Sequence, residues 1–257
     1  MATWAKVKFF WDKMLGSAGS TLSATSTAAG DYSAEYLYNM LETNIWKAAG
    51  TLPAYISYDA GAGNTRPADY LAIAGHNLFS SGSLLSLQYS SDGMTYLNAF
   101  TPFVPSSDGV VLKEFTNPGL FRYWRLGMTG MTAAPFMAIC VWGVSTELDY
   151  ATASFDPYAQ EAVANVNLSQ GGYVAGIHTQ YIERSMSFKF DDADAALYEK
   201  VRQWWDTSGV KNFFVAWEVA NNSGDVFLMR PDPQFNNPIK NGSVRREISI
   251  ALKGRKE

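Results

Sequence analysis

Cysteine is almost absent from this sequence. The one thiol, Cys140, lies in the apolar run Phe136–Trp142 and has no partner for an intrachain disulfide, so nothing suggests oxidative folding. Its apolar neighbours also disfavour the thiolate that a nucleophile would need. Histidine is nearly as scarce. His76 and His178 are far apart, and there is no His-x3-His pair, no cysteine pair and no acidic loop of calcium-binding spacing. Neither a metal nor a cofactor is expected. A basic excess is missing too: 20 Lys and Arg stand against 24 Asp and Glu, giving a net charge of -4. That argues against a general nucleic-acid binder. Long apolar runs are also lacking. Lys6, Lys8, Asp12 and Lys13 break up the first twenty residues, so neither a signal peptide nor membrane insertion is expected, and the chain should fold in the cytoplasm.

Apolar and aromatic residues are what the chain has. Hydrophobic residues make up 47% and aromatics 14% of its 257 positions, enough for a dense core and against global disorder. The first half reads as short β-rich runs at 53–59, 68–75, 83–90, 94–100, 120–128 and 135–144, separated by Gly, Pro, Asn, Asp or Ser. This spacing predicts a sandwich or jelly roll. Between Leu87 and Phe100, Ser-Asp-Gly divides two such runs and predicts a hairpin turn. Residues 16–30 are small and of low complexity, and read as either a linker or an edge strand through Leu22 and Ala24.

The pattern changes after Val144. Residues 145–172 read as a connection, and 181–190 as a strand with Met186, Phe188 and Phe190 on one face. A helix over 192–207 follows, capped by Asp191 or Asp192, with Leu197, Val201, Trp204 and Trp205 on its apolar stripe and Gly209 ending it. Strands at 212–219 and 225–230, a Pro-rich loop at 231–242 and a last strand at 243–254, with Val244, Ile248, Ile250 and Leu252 on one face, complete the chain. The expectation is a mainly β protein of two domains: 1–147, a jelly roll with an N-terminal strand, and 148–257, a β-barrel or sandwich with one packed α-helix.

Catalytic motifs are not evident. Residues 61–66, Gly-Ala-Gly-Asn-Thr-Arg, lack the Lys-Ser/Thr ending of a phosphate loop and read as a turn. Asp191, Asp192 and Asp194 read as helix-capping residues rather than an acidic site. Carboxylates scattered through a β fold, as glycosidases use, would escape such a scan, so a hydrolase stays as a third reading. The chain is not expected to be an enzyme.

Five pieces in order, Asn39–Trp46, Tyr55–Gly61, Ile73–Asn77, Tyr89–Tyr96 and Arg122–Leu126, resemble the discoidin (F5/8 type C, galactose-binding-like) jelly roll. Glu42 stands where that family usually has Asp, and Tyr96 where it usually has Trp. The second half, through residues 184–206, 213–218, 228–242 and 246–254, resembles the β-domain-plus-helix ring proteins of long-tailed phage tails. Together these imply a structural tail-tip or baseplate protein in the virion tail. It would form a homo-oligomeric ring, sixfold by the same resemblance, against tail-tube and hub proteins. Phe235, Asn236, Lys240, Arg245 and Arg246 are the interface candidates. The alternative is a carbohydrate-binding module for host-surface glycans, with Trp46, His76, Asn77 and Phe79 as candidate ligand residues. Arg122 and Arg125 are expected to satisfy strand-end carbonyls.

Overall fold

The computed structural model describes residues 6–219, 224–240, 242 and 244–256. It is mainly β and divides into two compact units: Phe9–Thr146, and Glu147–Glu257 together with the residues up to Lys8. Of the join expected between the strands at 212–219 and 225–230, residues 220–223 lie outside the described residues.

Strands β1 (Lys8–Lys13), β2 (Thr21–Ala24), β3 (Trp46–Lys47), β4 (Ala54–Asp59) and β5 (Tyr70–His76) come first. They are followed by β6 (Leu84–Ser90), β7 (Leu97–Asn98), β8 (Val111–Glu114), β9 (Tyr123–Thr129) and β10 (Phe136–Glu147). In the first unit these form a β-sandwich. One sheet runs β1-β10-β5-β8 with β3 beside β10; the other runs β2-β4-β9-β6-β7. Alternation sets the faces. Ile56 and Tyr58 of β4, Leu85 and Leu87 of β6, and Trp124, Leu126 and Met128 of β9 are buried, facing a core that includes Leu71, Ile73, Cys140 and Trp142. Their neighbours along each strand point outward. Gly143 permits the closest approach: a Cβ there would lie 1.9 Å from the Asp12 carbonyl oxygen. Residues 16–30 do contain an edge strand, β2, paired with β4.

The second unit contains β11 (Gln160–Leu168), β12 (Val174–Ala193), α1 (Ala195–Ser208), β13 (Phe213–Ala216), β14 (Val226–Pro231), β15 (Ile239–Lys240) and β16 (Arg245–Arg255). Its strands follow the order β11-β12-β16-β14-β13, with β15 on β16. Among the described residues this is an open sheet, so the barrel form of the expectation is corrected. The core pairs Met186 with Leu252, Phe188 with Ile250 and Phe190 with Ile248, and Leu197, Val201 and Trp204 of α1 are buried as well.

Three local expectations need correction. The helix starts at Ala195, not 192, because β12 continues to Ala193; Asp194 is the cap, its Oδ1 accepting the Leu197 N–H at 2.8 Å. Val244 does not share the buried face of β16, being 74% exposed just ahead of the strand. The supposed connection at 145–172 holds the whole of β11, which pairs with β12 as a long hairpin.

Candidate ligand-binding face

The five-stranded sheet of the first unit turns a polar face away from the core. Strand register aligns one row across it: Ser23 opposite Ser57, Ser57 opposite Arg125, Arg125 opposite Gln88, and Gln88 opposite Asn98. Directly opposed residues in antiparallel strands share a face, so five side chains from five strands form one line about 19 Å long at the usual strand spacing. Three of them are bonded in series. Arg125 Nε donates to Gln88 Oε1 at 2.7 Å, and Gln88 Nε2 donates to Asn98 Oδ1 at 2.8 Å.

Tyrosines frame this row. The Arg125 guanidinium carbon lies 4.6 Å from the Tyr55 ring centroid and 3.7 Å from that of Tyr96, so the cation is held against two aromatic rings. Glycine makes room for one of them. A Cβ on Gly127 would lie 2.8 Å from Ser86 Oγ and 3.1 Å from Tyr55 Cε1, so a larger residue would push the Tyr55 ring off the sheet. The Ser-Asp-Gly turn delivers the other. Asp92 Oδ1 accepts the N–H groups of Met94 and Thr95 and the Ser90 hydroxyl, Gly93 takes φ +73°, and the chain then returns with Tyr96 over Arg125. Those backbone donors, with the Ser90 hydroxyl, hold the Asp92 carboxyl down to about 2.

The row beside it carries charge that is already matched. Asp59 accepts from Arg122 Nε at 2.7 Å and Nη2 at 2.9 Å, a bidentate pair that lowers the Asp59 pKa. Arg122 therefore pairs with a carboxylate and Arg125 stacks on rings. Neither caps a strand-end carbonyl, which corrects the expectation. The Tyr96 phenol is raised by burial, against the opposing pull of Arg125.

The residues singled out from sequence are dispersed. Trp46 is fully buried, on β3 opposite Met137, and its indole N–H donates to Thr27 Oγ1 at 3.2 Å. Asn77 ties loops together, donating to the Ala134 carbonyl at 3.1 Å and accepting from the Phe136 N–H at 2.8 Å. His76 is buried; its Nδ1 accepts the Leu78 N–H, and burial lowers its pKa against the opposing effects of Gly109 and Asp108. Phe79 alone offers surface, at 50% exposure, with its N–H donating to Asp108 Oδ1 at 2.9 Å. In the second unit Phe235 stacks on Trp205 of its own chain at 5.2 Å, and Arg246 lies 3.9 Å over the Tyr198 ring. Arg245 donates to the Asp192 carbonyl, Lys240 lies 3.6 Å from Asp191, and Asn236 is exposed.

Among the described residues, no three His, Cys, Asp or Glu side chains converge as a metal site, and no helix is long and apolar enough to cross a membrane. The outer-face row escapes a reading by motif because its members are distant in sequence. The available signal was alternation: Tyr55, Ser57 and Asp59, with Tyr123 and Arg125, are the outward positions of strands whose inward positions are plainly apolar.

No family model matches the chain, and no curated protein matches it. Among solved structures, the chain is similar to a chitosan-binding module derived from a chitosanase/glucanase of Paenibacillus sp. IK-5, at 17% identity and TM-score 0.42, over 51% of this chain and 97% of that one. A CBM32 module from Clostridium perfringens, in complex with GalNAc-β-1,3-galactose, is similar at 15% identity and TM-score 0.41, over 49% of this chain and 95% of that one. A third is a Ruminococcus gnavus GH29 fucosidase in complex with fucose, at 14% identity and TM-score 0.45, where the match covers 54% of this chain and only 28% of the fucosidase.

Proposed function

We propose that the chain is a carbohydrate-binding protein whose first unit recognises a glycan across the outer face of its five-stranded sheet. One observation carries this reading: Arg125, packed against the rings of Tyr55 and Tyr96, continues through Gln88 and Asn98 into a line of planar hydrogen-bonding groups. Sugars present hydroxyls in a ring plane beside apolar C–H faces. Tyrosines with planar amide and guanidinium groups between them meet both demands. The bonds within the row fix the side-chain orientations beforehand, which lowers the entropy lost on binding. A glycan array probed with the full chain and with a Tyr96→Ala variant tests it. The wild type should bind a defined set of glycans and the variant should lose most of that signal. Glycan binding that survives Tyr96→Ala together with Tyr55→Ala would contradict the assignment.

A second reading is a ring-forming structural subunit of a long-tailed phage tail tip with tube and hub partners; the β11–β12 hairpin bears on the self-association that this reading requires. The registered pairs Ala162–Ile182, Ala164–Thr179, Val166–Ile177 and Leu168–Val174 place apolar side chains along one face. Val166 is 53% exposed, Leu168 61% and Ile177 65%. The other face is mixed, carrying Glu161, Asn165 and His178 beside Val163 and Tyr181. A two-stranded hairpin is marginal alone in water, and an exposed apolar strip on it suits burial against a second copy of the chain. Mass photometry should then show oligomers that Val166→Glu with Ile177→Glu dissolves. A monomer at micromolar concentration would remove this reading and leave the first intact.

A further inference from the structure

The bonding of Arg125 specifies the glycan more closely. Its Nε is used by Gln88, and its guanidinium carbon lies 3.7 Å from the Tyr96 ring centroid and 4.6 Å from that of Tyr55. Its two Nη groups have no hydrogen-bond acceptor, and no carboxylate pairs with it, among the described residues. The nearby anions are committed elsewhere: Asp59 to Arg122, and Asp92 to the Met94 and Thr95 N–H groups and the Ser90 hydroxyl. A partly buried guanidinium held in one plane, with two parallel N–H donors left over, is matched by a planar anion with two coplanar oxygens. Neutral hydroxyls would use the donors but leave the charge uncompensated.

We propose, resting on the glycan reading above, that the ligand is an acidic glycan whose sugar carboxylate is held bidentate by Nη1 and Nη2 of Arg125. Gln88 and Asn98 lie further along the row, where they orient the guanidinium and meet ring hydroxyls. Lysine could not replace the arginine, because a point charge offers neither the fork nor a flat group to pack against the tyrosine rings. The requirement is for a uronic-acid type of residue within a chain, and the length of the polar row suits a short oligosaccharide rather than a single sugar.

Calorimetry on the full chain tests this with five probes: oligomers of galacturonic and of mannuronic acid, the same two oligomers after carboxyl reduction to the neutral sugars, and a sulfated oligosaccharide that carries no carboxylate. At least one uronate should bind, and carboxyl reduction should weaken it at least tenfold, about 1.4 kcal/mol. Arg125→Lys should bring the ratio of acidic to neutral binding close to one. Gln88→Glu, which sets an internal carboxylate beside Arg125, should do the same, so the result does not depend on one variant folding well. Equal binding of the reduced oligomers, or an acidic preference that survives both variants, would overturn the carboxylate assignment and leave glycan recognition standing. Tighter binding of the sulfated probe would overturn it in favour of a tetrahedral anion. No binding of any oligosaccharide, here or on the array, would overturn the glycan reading and this proposal together.

Discussion

Replacing Trp46 by alanine should cost the first unit most of its margin of stability. The indole is fully buried within the sandwich core, on a two-residue strand paired with β10. Removing it takes roughly 200 Å² of apolar surface out of the core, worth ~5 kcal/mol by area. Trp→Ala changes in cores typically cost about 3–5 kcal/mol, including the cavity left behind. Trp46→Phe retains most of that burial and loses the indole N–H bond to Thr27 Oγ1, at 3.2 Å, which is worth roughly 1 kcal/mol. Urea unfolding, followed by circular dichroism so that the seven other tryptophans do not dominate the signal, separates the two variants. With a slope of about 2 kcal/mol per molar urea, the alanine variant should lose ~2 M in its midpoint and the phenylalanine variant well under 1 M. An alanine variant within about 0.5 kcal/mol of the wild type would refute the burial argument. It would return Trp46 to the surface, as a stacking platform for sugar.

Trp204→Ala in the second unit should be comparably damaging, at ~3–5 kcal/mol, because Trp204 is 1% exposed and its ring centroid lies 5.1 Å from that of Phe213; an unchanged unfolding midpoint would place α1 off the sheet. Asp92 should titrate near pH 2 by carboxyl NMR, and because its folded pKa is depressed, its contribution to stability is present above about pH 4 and lost as pH falls through 2. A titration at the ordinary aspartate value would dissolve the turn that positions Tyr96. His76 has a depressed pKa for a different reason, burial of the imidazole, so its contribution is complete above pH 6.5 and declines as pH falls below it. Urea midpoints should therefore drop more between pH 7.5 and 5.5 for the wild type than for His76→Asn; parallel drops would show that His76 is accessible to water.

How far the sequence discloses this molecule depends on whether a residue's role is local. β4, β6 and β9 were legible because one face is buried and the other is not, and Ile56, Tyr58, Leu85, Leu87, Trp124 and Leu126 follow that period of two. β1 was legible only as an N-terminal strand without bounds, since Lys8, Asp12 and Lys13 flank Phe9, Phe10 and Trp11 and read as an interrupted apolar run. The β11–β12 hairpin was missed for the opposite reason: both faces are exposed, so β11 carries no core signature, and its pairing with β12 is what defines it. Trp46 looked like a loop aromatic beside Thr43 and Asn44, and its pairing with Met137 from far along the chain buries it. Arg125 is the clearest case. Its surroundings are assembled from Tyr55, Gln88 and Tyr96 on other segments, and the register of β4, β9 and β6 brings them together.

Mapping a bound oligosaccharide by amide and side-chain NMR on the isotopically labelled full chain tests the central claim most directly. The account predicts that saturation shifts the Arg125 Nε–H, the side-chain amides of Gln88 and Asn98, and the backbone of Tyr55 and Tyr96, while the loop around Phe79 and Asp108 stays unmoved. Shifts confined to Phe79, Ser80 and Asp108, with the sheet face silent, would contradict it and move the site to the end of the sandwich.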